Sequence, residues 1–337
     1  MQPMFARSAA NTCKNRSIRL LCAAMMALGT MPASAQTAAG YPSKPVRVIT
    51  PYPAGGSASV IARTFAESYA RDFGHPFLVD NRPGASSIIG TQAVARAAPD
   101  GHTLLVISNT LAVIHWTIPD RPYDTLKDLV GVSTLVRNDH MIAVNPSFPA
   151  GNLREMIAYL KKNPGKVNAY TTAQGSINHL ENLQFMQATG TNYTVVPYKG
   201  GGAGLTDLVS GTIQMAINTP NLFASFIKSG KLKGIALSGE RRNPVLPEVP
   251  TFAEAGLPGF DGSLHYGLLA PKGTPKDIID KLSAELKKVV ATDDVKQRIS
   301  AEGGDPMTST AAEYADDVDK EEKKWGSLVR KLNLKVE

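Results

Sequence analysis

Cysteine is nearly absent: Cys13 and Cys22 are the two cysteines among 337 residues, and both fall in the first 35. That stretch carries Arg7, Lys14, Arg16 and Arg19, no acidic residue, the apolar run LLCAAMMALG, and then Ala33-Ser34-Ala35. A basic leader, a short apolar core and small residues before Gln36 predict a signal peptide over 1–35, cleaved near Ala35. The run is too short for a membrane anchor, which needs about 20 apolar residues. A lipoprotein is disfavoured because Leu21 precedes Cys22, where a small residue is needed. Removing 35 of 337 residues leaves 302 without cysteine, so the exported chain must hold its fold by its core alone. A chain of that length buries about three quarters of its unfolded surface.

Strong charge is lacking as well. Four leader cations account for most of the formal +7, leaving +3. No Lys/Arg block favours nucleic acid as a partner; a mild bias toward small anions remains. The six histidines, His75, His102, His115, His140, His179 and His265, form no H-x-x-x-H pair and have no cysteine partner after cleavage, so neither a metal nor another cofactor is expected. There is no internal repeat and no low-complexity tract.

What the chain does contain is an alternation of strand and helix signals. Strands are predicted at 46–51, 77–80, 103–108, 141–145, 167–171, 194–198, 213–218, 232–237 and 266–270. Helical periodicity fills 57–73, 88–96, 153–162, 179–189, 205–210 and 222–229, and three further helices are predicted at 275–290, 293–302 and 310–331. Apolar strands separated by helices predict α/β architecture with mostly parallel sheets flanked by helices. Length argues for two lobes, and the lack of a long linker argues that crossing strands join them, near 141–145 and 263–270. Lobe 1 is then 36–142 plus 263–337, and lobe 2 is 143–262.

Four strand-to-helix turns are rich in glycine and free of acidic side chains. They are PYPAGGSASV from Pro51, the RPGASSIIG part of DNRPGASSIIG from Asp80, YTTAQGSINHL from Tyr170 and VPYKGGGAG within VPYKGGGAGLTDL from Val196. A nucleotide loop would need Lys after the last glycine of the first turn, where Ser57-Ala58 stand, and a dinucleotide fingerprint would need a third glycine. A G-x-S-x-G nucleophile elbow is absent there and around AQGSIN. What remains is the helix N-terminus, whose first N–H groups lack internal partners and receive a carboxylate well. In an open sheet such turns gather at the carboxyl ends of strands, so turns from two lobes would face each other across a cleft. Each turn can equally be only a turn.

In order along the chain, PYPAGG, DNRPGA with VARAAPDGHTLL, YTTAQGSINHL, VPYKGGGAGLTDLVSG and LPEVPTFAEAGLPGF closely resemble the solute-binding proteins of tripartite tricarboxylate transporters, the Bug family. The likeness runs from Tyr41 to the helix carrying Trp325. It implies a two-lobed periplasmic-binding-protein (Venus flytrap) fold that closes on a small carboxylate and hands it to a two-subunit inner-membrane permease. It implies a monomer that is a receptor and not an enzyme. In lobe 1 it implies ligand contacts from Tyr52, Ala54, Gly55, Gly56, Ser57, Ser86 and Ser87. In lobe 2 it implies Thr172, Gln174, Gly175, Ser176 and the turn at Lys199 and Gly200.

Several positions depart from the family's usual residues. Ser59 stands where an acid is common, Ile88 where Asn is common, Ile217-Asn218-Thr219 where Phe-Asp-Asn is common, and His265 where an aromatic, often Trp, is common. Two neutralised acids disfavour a ligand ammonium, which would lack a counter-charge. Ile88 favours an apolar or aromatic body between carboxylates. The expected ligand is therefore a non-amino mono- or dicarboxylate, with Ser59, Ile88, Asn218, Thr219 and His265 added to the candidate wall.

Among the remaining residues, His179 is expected to make a structural hydrogen bond at a helix start, Arg82 to fix its turn, and Trp325 to pack. The charged run from Asp316 to Lys324 is expected to be a solvated helix face. A secreted α/β hydrolase acting on a small ester or amide is the competing reading, and it lacks a recognisable nucleophile, base and orienting acid. A membrane sensor is a further partner compatible with the receptor reading.

Overall fold

The computed structural model describes residues 40–172, 174–198, 201–332 and 334. The predicted leader lies outside them, as do Lys199 and Gly200. The chain opens with β1 (Val46–Thr50), α1 (Ser57–Phe73), β2 (Phe77–Asn81), α2 (Ile88–Ala95), β3 (Thr103–Ser108), α3 (Thr110–Thr117), α4 (Thr125–Asp128) and β4 (Leu129–Asp139). After the single residue His140 come β5 (Met141–Val144), α5 (Leu153–Lys162), β6 (Asn168–Thr171), α6 (Ile177–Thr189), β7 (Thr194–Pro197), α7 (Gly201–Ser210), β8 (Met215–Asn218), α8 (Pro220–Lys228) and β9 (Lys233–Leu237). The chain closes with β10 (Ser263–Pro271), α9 (Lys276–Ala291), α10 (Asp293–Ala301), β11 (Asp305–Pro306) and α11 (Ala311–Leu332).

Local chemistry explains the best-defined elements. Helix α1 buries Ile61, Ala62, Phe65, Ala66 and Tyr69, a stripe at helical spacing, and ends on Gly74 at φ 68°, where a Cβ would be strained. Helix α5 starts where the Asn152 side chain accepts the Glu155 N–H at 3.0 Å. Within strands, alternate residues feed opposite faces. Val46, Val48, Leu104 and Val106 pack into one cluster, while Ile49, Leu105 and Ile107 pack into another. Helices cover both faces, which is why these strands read as continuous apolar runs.

Two sheets result, ordered β11-β4-β10-β3-β1-β2 and β7-β6-β8-β5-β9. They are mixed rather than mostly parallel. Strand β1 is parallel to β2 and β3, and β6 to β7 and β8. Strand β10 is antiparallel to β3 and β4, and β5 to β8 and β9. The reason is connectivity: parallel neighbours need a helical crossover, whereas β4, β5 and β10 lie where the chain passes from sheet to sheet without one. Strand β4 was not anticipated, because Gly131, Ser133 and the polar end Arg137-Asn138-Asp139 break the apolar alternation. Helix α3 was missed because TLAVIHWT is apolar on nearly every side and reads as an extension of β3.

Helix α11 lies across the first sheet. The ring of Tyr314 occupies a slot made by Gly131 on β4 and Gly267 on β10, and a Cβ at either would overlap it. Trp325 is a packing residue, 1% exposed, grouped with Val113, Ile177 and Leu180. The acidic run on α11 is only partly solvated. The Trp325 indole N–H donates to the Glu321 carboxylate at 2.5 Å, and Glu322 is buried, which pushes its carboxyl up to about 7. Replacing Gly267 by Ala forces the Tyr314 ring out of its slot and is expected to cost about 1–3 kcal/mol in urea denaturation; an unchanged midpoint would show that the slot is loose.

Candidate functional site

The parallel strands β1 and β2, and β6 beside β8, end at the same edge of their sheets, and the turns that follow them gather there. A cavity of about 770 Å³ lies between these edges. From the first sheet it takes Tyr52, Gly55, Gly56, Ser57, Ser86 and Ser87; from the second it takes Thr172, Gln174, Gly175, Ser176, Asn218 and Thr219. No Asp, Glu, Lys or Arg is among the described residues that line it.

The first turn ends at Gly56, which precedes α1 without any side-chain cap and with no acidic residue in the first turn. Gly55 has φ +86°, a conformation that favours glycine. The turn is pinned from behind. Asn81 donates Nδ2–H to the Tyr52 carbonyl at 3.0 Å, and Ser59 donates its hydroxyl to Asn81 Oδ1 at 3.3 Å. The Tyr52 hydroxyl lies 2.6 Å from Ser108 Oγ.

The second turn holds Ala85, Ser86 and Ser87 at φ 45°, 52° and 78°, three successive non-glycine residues in the left-handed region. Each costs on the order of 1–3 kcal/mol, a strain that persists only where the surroundings enforce it. The run leads into α2, again without a side-chain cap. Arg82 reaches Asp80 at 2.8 Å, consistent with a turn-fixing role.

Across the cavity, Ser176 caps α6 by accepting the His179 N–H, and Gly175 donates its N–H to His179 Nδ1 at 2.9 Å. Burial lowers the His179 pKa, so the imidazole stays neutral and structural. Asn178 donates to the Ile217 carbonyl at 2.9 Å and accepts the Thr172 hydroxyl at 3.1 Å, tying α6 to β8. Thr219 precedes α8 with no side-chain cap.

Four expected wall residues fall elsewhere. Ser59 is 1% exposed and turned onto Asn81, because it lies on the sheet-facing side of α1. Ile88 packs on the core with Ile49, Leu105 and Ile107. Ala54 is exposed but not on the cavity wall. His265 points away because strand side chains alternate: Leu264 and Tyr266 take the cavity face, while His265 bonds Ser263 Oγ at 2.7 Å on the other. Its burial, with Arg137 nearby, drives its pKa down to about 4. Lys199 and Gly200 lie outside the described residues.

Sequence reasoning missed Ser108, Thr110, Ile114, Asn138, His140 and Tyr266 on the wall. Ser108-Asn109-Thr110 is one more strand-to-helix junction, and recognising α3 would have revealed it.

Two helix-flanked sheets joined by crossing strands, with a cavity lined from both, define a two-lobed binding protein. The chain belongs to the tripartite tricarboxylate transporter family of receptors, periplasmic solute-binding proteins whose family model matches residues 61–334. It is 35% identical over 307 residues to protein BugT of Bordetella pertussis, covering 90% of this chain and 93% of that one. An R. palustris structure with adipate superposes with a TM-score of 0.76 at 26% identity, over 88% of this chain and 100% of that one. MatC from Rhodopseudomonas palustris with bound malate gives 0.72 at 29%, over 86% and 100%.

Removing the Asn81 side chain (Asn81→Ala) leaves the first turn unpinned and is expected to cost about 1–3 kcal/mol of stability. Ser59→Ala should lower stability by about 0.5–1.5 kcal/mol and weaken ligand binding by less than about tenfold. An affinity loss of about tenfold or more in Ser59→Ala, read by calorimetry, returns that residue to the binding set.

Proposed function

We propose that this protein captures a small non-amino mono- or dicarboxylate between its lobes and delivers it to a two-subunit inner-membrane permease. The lobes are taken as 36–142 plus 263–337 and 143–262, acting in a monomer exported through a leader cleaved near Ala35. The observation that carries this reading is the wall itself: uncapped helix N-termini from both sheets, surrounded by hydroxyls and amides, with no charged side chain among the described lining residues. Such donors receive a carboxylate at each end of a ligand through partial positive charge. Relatives of the same fold hold adipate and malate.

Ligand class follows from what the wall lacks and what it offers. A ligand ammonium would find no carboxylate among the described lining residues, since neutral Asn218 faces the cavity and Ser59 does not. Ile114, Ile118, Ile177, Leu222 and Leu264 provide the apolar lining that had been expected of Ile88, and they suit an aliphatic or aromatic body. Closure would then follow from contacts made in the closed state, with a membrane sensor as a second reader of that state.

The hydrolase reading gains nothing from the geometry. Ser263 and His265 form a serine–imidazole contact at 2.7 Å, but Ser263 is buried and donates to Asp261, and no acid hydrogen-bonds the ring among the described residues. A thermal-shift screen separates the two readings. Adipate, malate or an aromatic carboxylate at 100 times its Kd should add about 2.7 kcal/mol of stability and be recovered unchanged. Stabilisation by aspartate or glutamate alone overturns the ligand class, and turnover of an ester or amide overturns the receptor.

A further inference from the structure

We propose that His140 is the cationic anchor of the cavity: as an imidazolium it donates Nε2–H to a ligand carboxylate, while Glu181 holds Nδ1–H and balances the charge. The proposal rests on the carboxylate-receptor reading above and goes beyond it by coupling ligand capture to a proton. His140 lines the cavity and is the only described lining residue whose side chain can carry a positive charge. Its Nδ1 lies 2.7 Å from Glu181 Oε2, with the two side chains 2% and 0% exposed. Glu181 lies on α6, 41 positions along the chain, and its Oε1 has no hydrogen-bond partner among the described residues.

The ring is rooted where both inter-sheet passages meet. The His140 N–H donates to the Gly262 carbonyl at 3.0 Å and to Ser238 Oγ at 2.9 Å, and the Ser238 N–H donates to the His140 carbonyl at 2.7 Å. A fully buried carboxylate with one oxygen unpaired is stabilised when its partner takes up a proton. The contact to Glu181 also decides the tautomer. With the proton of Nδ1 committed to Glu181, a neutral ring offers only a lone pair at Nε2, which repels a carboxylate. Receiving the anion therefore requires a second proton on the ring. Glu181 and the ligand then share one imidazolium.

The other ionisable groups around this point are already engaged. Arg137 on β4 bridges Asp139 at 2.7 Å and Asp261 at 2.8 Å. Lys324 on α11 donates to the Asp261 carbonyl at 2.9 Å, Glu321 on the same helix accepts from Trp325, and His265 on β10 bonds Ser263. His179 on α6 accepts the Gly175 N–H.

The test is calorimetric titration of the purified chain with adipate, malate and benzoate between about pH 6.5 and 9, where these acids are almost fully ionised. For the probe that binds, the association constant should fall by up to about tenfold per pH unit toward the alkaline end, with proton uptake visible as a dependence of heat on buffer ionisation enthalpy. His140→Gln should bind more weakly with a flat profile. Glu181→Gln should begin its fall at lower pH, because losing the counter-charge disfavours the imidazolium. A flat wild-type profile with no proton uptake overturns the proposal, and so does a His140→Gln profile that parallels wild type. Should His140→Gln not fold, the wild-type uptake and the displacement in Glu181→Gln decide alone. Failure of all three probes to bind at any pH sinks the receptor reading and this inference together, whereas pH-independent binding sinks only the inference.

Discussion

The first turns of α1, α2 and α8 leave backbone N–H groups without a side-chain acceptor, and such groups cost free energy unless something polar meets them. Around that constraint the rest of the molecule is arranged. Parallel strands deliver the turns to a common edge, glycine keeps side chains out of the way, and the two sheets bring opposed sets of donors to one cavity. The stability forgone at these ends is recovered in the cores, where Trp325, Phe185 and Phe223 are almost fully buried.

Rigidity behind the cavity supports the same purpose. Asn81 and Ser59 brace the first turn, Thr91 holds the second by donating its hydroxyl to the Ser87 carbonyl at 2.8 Å, and Asn178 ties α6 to β8. Preorganised donors lose little entropy when a ligand arrives, so weak individual dipoles add up to useful affinity. The hydrogen bonds joining His140, Ser238 and Gly262 lie where the chain passes between sheets.

Much of the fold was legible because local patterns agree with the tertiary structure. Helices α1 and α5 and strand β3 have the expected bounds, since a 3.6-residue stripe or a short buried apolar run admits few alternatives. Strand β4 was illegible because its glycine serves Tyr314 from α11, a reason that lies 183 positions away from Gly131. The candidate wall was legible as turns and less so as side chains. Ser86, Ser87 and Ser176 follow from the turns, but Ser59, Ile88 and His265 depend on which way one face of a helix or strand points. A single step along a strand reverses that direction, so His265 was expected where Leu264 and Tyr266 stand.

The amino-acid sequence by itself determined the alternation of strands and helices, the glycine turns at their junctions, the scarcity of charge in those turns, and the family. Those are local properties, set by spacing and by the φ, ψ and hydrogen-bonding limits of individual residues. Tertiary structure alone decided that the sheets are mixed, which side chains face the cavity, and that His140 meets Glu181. Each of these is a contact between distant segments, and its energy depends on burial and direction that no local pattern encodes.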